Sequence, residues 1–432
     1  MMISRQLQAV VARRLAQVPA VAVLGPRQVG KTTLALALAA SHPGALVLDM
    51  ERESDRAAVS QSELFFPLHR DRLVVLDEVQ HAPQIFAALR PEIDADRRAG
   101  RFLLLGSASG ELLRQTVESL AGRVSYLELT PLQVSELLPD PQPDPQPDAQ
   151  AGLASVQNLW LRGGFPDSLL APDDAASFQW RQDFASTFLQ RDLPALGVRV
   201  PAETLRRFWT MLAHLQGQMF NASQLGQALG GASHSTAARY LDALVDTLMV
   251  RRLPPHLGDV GKRLGKRLVK SPKIYVRDSG LLHALLGLAS VRDLQGHPVA
   301  GASWEGFVIE QVAAALPPEA QLGFYRTAAG TELDLVVQHC GRQLGIEIKF
   351  SAAPKPLKGF WQALQDLQIT QAVVVAPVQR RYPLAAGVDV LPVWDLAGLL
   401  TDWAGGAGGA GGAGGAGGAG QAGLAGLAGP AG

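Results

Sequence analysis

Lys31 and Thr32 follow two glycines in GPRQVGKTT (Gly25 to Thr33), a spacing that fits G-x-x-x-x-G-K-[ST], the loop that cradles phosphate. Gly25 and Gly30 let the backbone turn its N–H groups inward, and Pro26, Arg27, Gln28 and Val29 complete the loop between them. Lys31 would reach the outer phosphates, Thr32 would hold Mg²⁺, and Thr33 would continue into a helix. A second pair of chemical residues, Asp77-Glu78, ends the apolar run LVVLD. Asp77 would hold the same metal through water, and Glu78 would orient and polarise an attacking water. Read alone, the pair is equally an acidic cap on the next helix. Ser107, at the end of a later apolar run, stands where a polar group meets a γ-phosphate, or else it is a helix N-cap. Arg123, in SLAGRV, is placed to meet a neighbouring subunit's phosphate, or it pairs with Glu118 or Glu128.

These residues need a scaffold, and the flanking pattern supplies one. Ala20 to Leu24 is a Val-rich apolar run suited to a buried parallel strand, and Thr32 to Ala40 is a strong helix former. Further strands are expected at Ala45 to Asp49, Leu73 to Asp77, Phe102 to Leu105 and Val124 to Leu129, with a helix near Ile85 to Asp96. This alternation predicts an α/β domain with a parallel sheet.

Together, GPRQVGKTT, LDEVQ (Leu76 to Gln80), GSAS, and ESLAGR followed by LTPLQVSE make the chain resemble a family of bacterial and archaeal AAA-type ATPases whose C-terminal domain has no assigned function. The likeness continues through GGFP (Gly163 to Pro166), QRDL (Gln190 to Leu193), VKSPKIYVRDSGLL (Val269 to Leu282) and Trp304 to Lys349. It covers most of the chain except the tail and one insert. The resemblance implies ATP as ligand, an AAA core, and a first strand lying between the fourth and fifth.

A second constellation lies near the C-terminus. Residues 303 to 376 read as helix (Trp304 to Leu316), strands (Leu322 to Arg326, Glu332 to Gln338, Gln343 to Phe350), helix (Leu357 to Leu367) and strand (Ala372 to Ala376). That order matches the core of the restriction-endonuclease-like fold, and Asp334 with Glu347-Ile348-Lys349 resembles its D…(D/E)-x-K signature. If Cys340-Gly341 forms a two-residue turn, Asp334 lies across the hairpin from Glu347, with Lys349 on the same face. Facing carboxylates repel, and a second divalent metal would offset them. Lys349 would then steady the attacking water or the scissile phosphate. Glu305 is the expected third acid, with Glu310 as an alternative on another side of the helix. The competing reading is two amphipathic strands with charged outer faces.

Composition bounds the rest. At 432 residues the chain is long for one domain, and 39 basic against 39 acidic residues leave no global field for nucleic acid or membrane. A single cysteine, Cys340, excludes an internal disulfide framework and suits a reducing cytoplasm. No apolar run approaches a membrane span. Pro139 to Gln150 repeats proline too densely for helix or sheet. Residues 151 to 220 read as a helical lid or bridge, in which Arg191-Asp192 is a second sensor or, preferably, an internal salt bridge. Asn221 to Val250 carries a helix-turn-helix pattern, with helices at Ala222 to Leu229 and Ser235 to Thr247 and a wing-like strand at Val250 to Leu253. Such a module binds DNA in many proteins and is inert packing in others. Lys262, Arg263, Lys266, Arg267, Lys270 and Lys273 form a basic run that is either a phosphate-contacting patch or a solvated face. From Ala404 the Gly/Ala repeat is expected to be disordered.

The expected organisation is an AAA-type core over 1–138, a linker over 139–150, the helical bridge over 151–220, a winged-helix-like segment over 221–282, a nuclease-like α/β domain over 283–403 and a tail over 404–432. Three functions follow: ATP hydrolysis with Mg²⁺, coupled to DNA and carried out by a monomer or homo-oligomer; a nucleotide-gated DNA-binding regulator with little turnover, which the intact Glu78 argues against; or an ATP-licensed, metal-dependent DNA endonuclease.

Overall fold

The computed structural model describes residues 3–107, 120–138, 149–195, 197–198, 200–256 and 266–406. Five strands, β1 (Ala20–Gly25), β2 (Leu46–Asp49), β3 (Val74–Asp77), β4 (Phe102–Ser107) and β5 (Val124–Glu128), form a parallel sheet in the order β2-β3-β4-β1-β5. The first strand therefore sits between the fourth and fifth. Strands buried on both faces read as continuous apolar runs, because successive side chains enter opposite cores. Ala20, Ala22 and Leu24 pack with Leu76 and Leu104 on one face, while Val21 and Val23 pack with Val75 and Leu105 on the other. β4 runs two residues beyond the expected Leu105, which places Ser107 at its C-terminal end, beside Gly25 of β1. Gly25–Thr32, Asp77-Glu78 and Ser107 lie at the carboxyl ends of β1, β3 and β4, where a parallel sheet opens its crevice, whereas Arg123 precedes β5 at its amino end.

The middle of the chain is helical, from Ala149–Arg162 through Ala202–His214. Its first helix starts at Ala149, inside the stretch expected to be extended, because proline density ends at Pro147 and AQAGLASVQNLWLR forms helix readily. A single π turn, Phe188–Asp192, interrupts it. Helices Ala222–Ala228 and His234–Asp246 follow, capped by the side chains of Asn221 and Ser233. Leu225, Leu241 and Leu244 are buried between them, with Leu229 and Tyr240 packed alongside. Strand β6 (Val250–Leu253), expected as a wing, pairs antiparallel with β7 (Lys273–Val276).

The last part is a mixed sheet of β8 (Gln321–Arg326), β9 (Glu332–His339), β10 (Arg342–Ile348), β11 (Ala372–Val375), β12 (Tyr382–Ala385) and β13 (Val388–Leu391), ordered β12-β13-β11-β10-β9-β8. Helix Ala300–Ala315 covers one face and helix Lys358–Leu367 the other. Cys340 and Gly341 form the β9–β10 turn with φ of 48° and 76°, the left-handed pair that a two-residue hairpin requires. β12 and β13 extend the sheet past the strands read from the sequence. A final helix, Leu396–Gly405, takes in Ala404 and Gly405, which were assigned to the tail; its anchor is buried Trp403. Residues 139–148 of the proline-rich stretch and 407–432 of the tail lie outside the described residues. Among the described residues no helix is long and apolar enough to cross a membrane.

Candidate nucleotide site and C-terminal carboxylate cluster

The phosphate-loop motif forms a tight turn between β1 and helix Lys31–Ala40. Gln28 and Gly30 both have left-handed φ, 60° and 98°, and Gly30 is the N-cap of the helix. A Cβ on Gly25 would lie 2.6 Å from the Leu129 carbonyl oxygen, so this glycine is required by close approach. Pro26 and Val29 are buried, whereas Gln28, Thr32 and Thr33 are exposed. Lys31 is buried and its Nζ donates to the carbonyls of Gly25 (3.2 Å) and Pro26 (2.8 Å). Burial lowers its pKa, against the pull of Glu78 and Asp77. A desolvated ammonium held only by neutral carbonyls is a strong site for an anion.

The Thr32 hydroxyl donates to Asp77 Oδ2 at 2.6 Å, joining the loop to β3. Asp77 Oδ1 accepts the backbone N–H of Glu78 at 2.9 Å. Burial raises the Asp77 pKa, aided by the neighbouring Glu78 charge and opposed by the hydrogen bond from Thr32. Glu78 sits at a left-handed φ of 52°, a conformation unusual for glutamate and found where surrounding structure enforces it. Its carboxylate accepts from the Gln80 amide, whose oxygen accepts the Ser107 N–H at 3.3 Å. The Ser107 hydroxyl is buried and has no hydrogen-bond partner among the described residues. Thus Lys31, Thr32, Asp77, Glu78 and Ser107 converge on one crevice.

Arg123 does not. Its guanidinium makes a two-pronged bond to Asp94, 2.8 and 2.6 Å, on the surface. Of the partners expected for it, Glu128 pairs instead with Arg277, and Glu118 lies outside the described residues. Nor do Arg191 and Asp192 pair: Asp192 accepts from Arg27 of the phosphate loop at 2.5 Å, while Arg191 is exposed. Arg27 also bonds Glu51 at 3.1 Å. Sequence reasoning missed three supports of the site. Arg5 braces it by donating to Val29 O and Thr130 O and by pairing with Glu136. Asp192 anchors Arg27, and Gln80 holds Glu78. Gln80 and Asp192 had signals, their places within LDEVQ and QRDL, but not their partners.

In the C-terminal sheet the β9–β10 ladder is registered up to Ile346 opposite Leu335, so the next position sets Glu347 against Asp334. Asp334 Oδ2 accepts the Ile348 N–H at 2.9 Å. Lys349 lies 2.6 Å from Glu347 and 3.7 Å from Asp334, so all three share a face. Glu347 Oε2 is buried without a partner among the described residues. Burial and then the Asp334 charge push the Glu347 carboxyl up to about 7, against the pull of Lys349. Glu305 approaches from its helix, but its carboxylate is taken by Lys273 at 3.1 Å and by the Tyr275 hydroxyl. Burial and Asp334 raise its pKa, with Lys273 opposing. Lys273 also bonds Glu332 at 2.9 Å, and Glu310 is held elsewhere by Arg251 and Arg277. Among the described residues no three such side chains converge closely enough to hold a metal ion. The ammonium groups of Lys273 and Lys349 bring positive charge to these carboxylates.

The basic run is likewise changed. Lys273 is buried in this cluster and Lys266 is bonded to both oxygens of Asp366 at 2.7 Å, leaving Arg267 and Lys270 exposed. Lys262 and Arg263 lie outside the described residues.

Comparison with known proteins places this geometry. Residues 17–138 match the family model of an AAA domain, 153–292 that of the domain of unknown function DUF8612, and 300–396 that of the domain of unknown function DUF4143. The chain is 43% identical over 380 residues to Uncharacterized protein Rv2008c of Mycobacterium tuberculosis, covering 88% of this chain and 81% of that one. It belongs to that protein's family. Uncharacterized protein Mb2031c of Mycobacterium bovis matches to the same extent. With its AAA domain, the chain is an ATPase whose ligand is ATP. Among solved structures, a Walker-type ATPase of Pyrococcus abyssi is 14% identical with a TM-score of 0.44, over 66% of this chain and 96% of that one. The Thermotoga maritima RuvB Holliday junction branch migration motor is 18% identical with a TM-score of 0.26, over 60% and 94%.

Proposed function

We propose that the chain hydrolyses ATP in the crevice formed by Gly25–Thr33, Asp77, Glu78 and Ser107. The observation that carries this reading is the Thr32–Asp77 bond, which puts a hydroxyl and a carboxylate side by side with Glu78 next in the chain. In this reading the loop N–H groups and the helix N-terminus receive the phosphates. Lys31 exchanges its two carbonyl partners for phosphate oxygens. Thr32 and Asp77 suit a hard, oxygen-seeking cation, and their direct contact marks where Mg²⁺ would be held; bound there, it would neutralise charge developing on the phosphates. Glu78 orients the attacking water and polarises its O–H bond. Ser107, whose hydroxyl needs a partner, donates to the γ-phosphate, and Arg123 serves the site of a neighbouring subunit in a homo-oligomer.

Coupled to this engine we place the helical bridge of residues 151–220, a winged-helix-like DNA-binding segment over 221–282, and a nuclease-like C-terminal domain over 283–403. The capped helices before β6 support the second of these. The unpartnered Glu347 Oε2 beside Asp334 and Lys349 supports the third, and a divalent cation there would use Asp334 and Glu347. DNA contact would use Arg267 and Lys270 with Lys262 and Arg263, and a reducing cytoplasm suits the single exposed cysteine.

The first prediction tests the crevice. Lys31→Ala should abolish ATP binding, whereas Glu78→Gln should bind ATP normally and lose turnover by at least about 10²-fold, since Glu78 acts on the water. Nucleotide affinity and steady-state hydrolysis, each measured with and without single-stranded, duplex and branched DNA, check both claims. Hydrolysis that survives Glu78→Gln would remove this residue from the mechanism.

A further inference from the structure

Gln80 stands between Glu78 and Ser107 in this crevice. It lies in the short 3₁₀ turn Val79–His81 that starts directly after the left-handed Glu78. Its amide has two ends with opposite needs, and both are met. One end donates to Glu78 Oε2; the other accepts the backbone N–H of Ser107 at 3.3 Å. These partners settle the orientation of the amide, because a carboxylate can only accept and a backbone N–H can only donate.

We infer that Gln80 is a positioning residue for ATP hydrolysis, clamping the water-polarising carboxylate of Glu78 to the end of β4. This rests on the role proposed above for Glu78. A glutamate carboxylate that must aim at one water can swing about three rotatable bonds from a left-handed backbone position, so a fixed donor on one oxygen leaves the other aimed. The donor is also uncharged. A lysine or arginine in the same place would neutralise Glu78 and weaken its pull on a proton, whereas an amide holds the group without discharging it. The far end of the clamp reaches Ser107, the residue whose buried hydroxyl lacks a partner. The same amide therefore ties the group that addresses water to the strand end that addresses the γ-phosphate.

The test is a mutant cycle in the full-length chain. Gln80→Ala should lower kcat by about 10²-fold, the size of effect expected when a reacting group is misplaced by roughly an ångström, with KM and the affinity for a non-hydrolysable ATP analogue within about twofold of wild type. Gln80→Glu keeps the shape, loses the donor and adds a like charge, so it should fall at least as far; thermal melting of both variants shows whether the fold is intact. The decisive readout is Glu78→Gln/Gln80→Ala, followed in long single-turnover reactions. A residue acting only through Glu78 predicts no further loss beyond Glu78→Gln alone. Unchanged kcat in Gln80→Ala, or losses that multiply in the double variant, would overturn the inference while leaving Glu78 in place. Undiminished turnover in Glu78→Gln would instead bring down the reading on which it rests.

Discussion

At the scale of single residues, the C-terminal cluster makes the sharper claim, because its chemistry depends on pH. The folded protein holds Glu347 at about 7, well above its value in an unfolded chain, through burial and the Asp334 charge. A raised carboxyl pKa contributes stability that is fully present below the unfolded value and is lost as pH rises through the folded one. The second prediction is that Glu347→Gln, a mimic of the protonated form, unfolds in urea much like wild type at pH 5 and becomes the more stable of the two at pH 8. Equal loss at both pH values would show that Glu347 is charged throughout. If the nuclease-like reading holds, Mn²⁺ should raise the melting temperature of wild type more at pH 8 than at pH 5. Asp334→Asn should then abolish any metal-dependent DNA cleavage and leave ATP hydrolysis intact. The pairing of Asp334, Glu347 and Lys349 was legible in the sequence because strand period and a two-residue turn fix which side chains share a face. Lys273 was not, since it reaches Glu305 and Glu332 only through the pairing of β6 with β7, and nothing local distinguishes it from the basic residues beside it. Gln80 shows the same limit: its neighbour in the motif was readable, but its bond to Ser107 crosses from β3 to β4.

Elements interlock where side chains are absent. GGFP and RDSGLL, two of the stretches that carried the family resemblance, meet in space. Asp278 caps the helix Ser279–Leu285 through Leu281 N–H and accepts Gly164 N–H at 2.8 Å. A Cβ on Gly280 would stand 2.2 Å from the Arg162 carbonyl oxygen, leaving no room to yield because the obstacle is backbone. Gly301, in the helix Ala300–Ala315, would meet nothing within 4 Å. The third prediction contrasts them by urea unfolding: Gly280→Ala should cost about 3 kcal/mol through overpacking, whereas Gly301→Ala should stabilise by up to about 1 kcal/mol by restricting the unfolded chain. A Gly280→Ala protein as stable as wild type would mean that these elements are not in close contact. The strands of both sheets were readable where apolar runs were bounded by glycine or acidic breaks. β12 escaped because it is an exposed edge strand with Pro383 in its middle, so neither burial nor alternation marks it. The π turn Phe188–Asp192 escaped because nothing in FLQRD itself marks a wider turn.

Across the whole molecule, ion pairs join parts that no sequence rule could match. Arg27 of the phosphate loop reaches Asp192, 165 residues on, and Arg277 joins Glu128 at the end of β5 to Glu310 of the helix Ala300–Ala315. With 39 bases and 39 acids available, the choice of partner is made by packing alone. Arg123 pairs locally instead, since its partner Asp94 lies in its own sheet unit and at the surface. An exposed pair of this kind is held weakly against solvent and salt, so a phosphate presented by a second copy can draw the guanidinium away. The last prediction follows from that exchange. In a homo-oligomer whose sites are completed across the boundary, Arg123→Ala and Lys31→Ala proteins should each be inactive alone. Mixed, they should recover part of the wild-type rate, because some interfaces then combine an intact loop from one copy with an intact Arg123 from the other. Recovery should peak near equal proportions and grow with total protein concentration, as an association must. A monomer by sedimentation that hydrolyses ATP at the full rate would leave Arg123 with Asp94 alone.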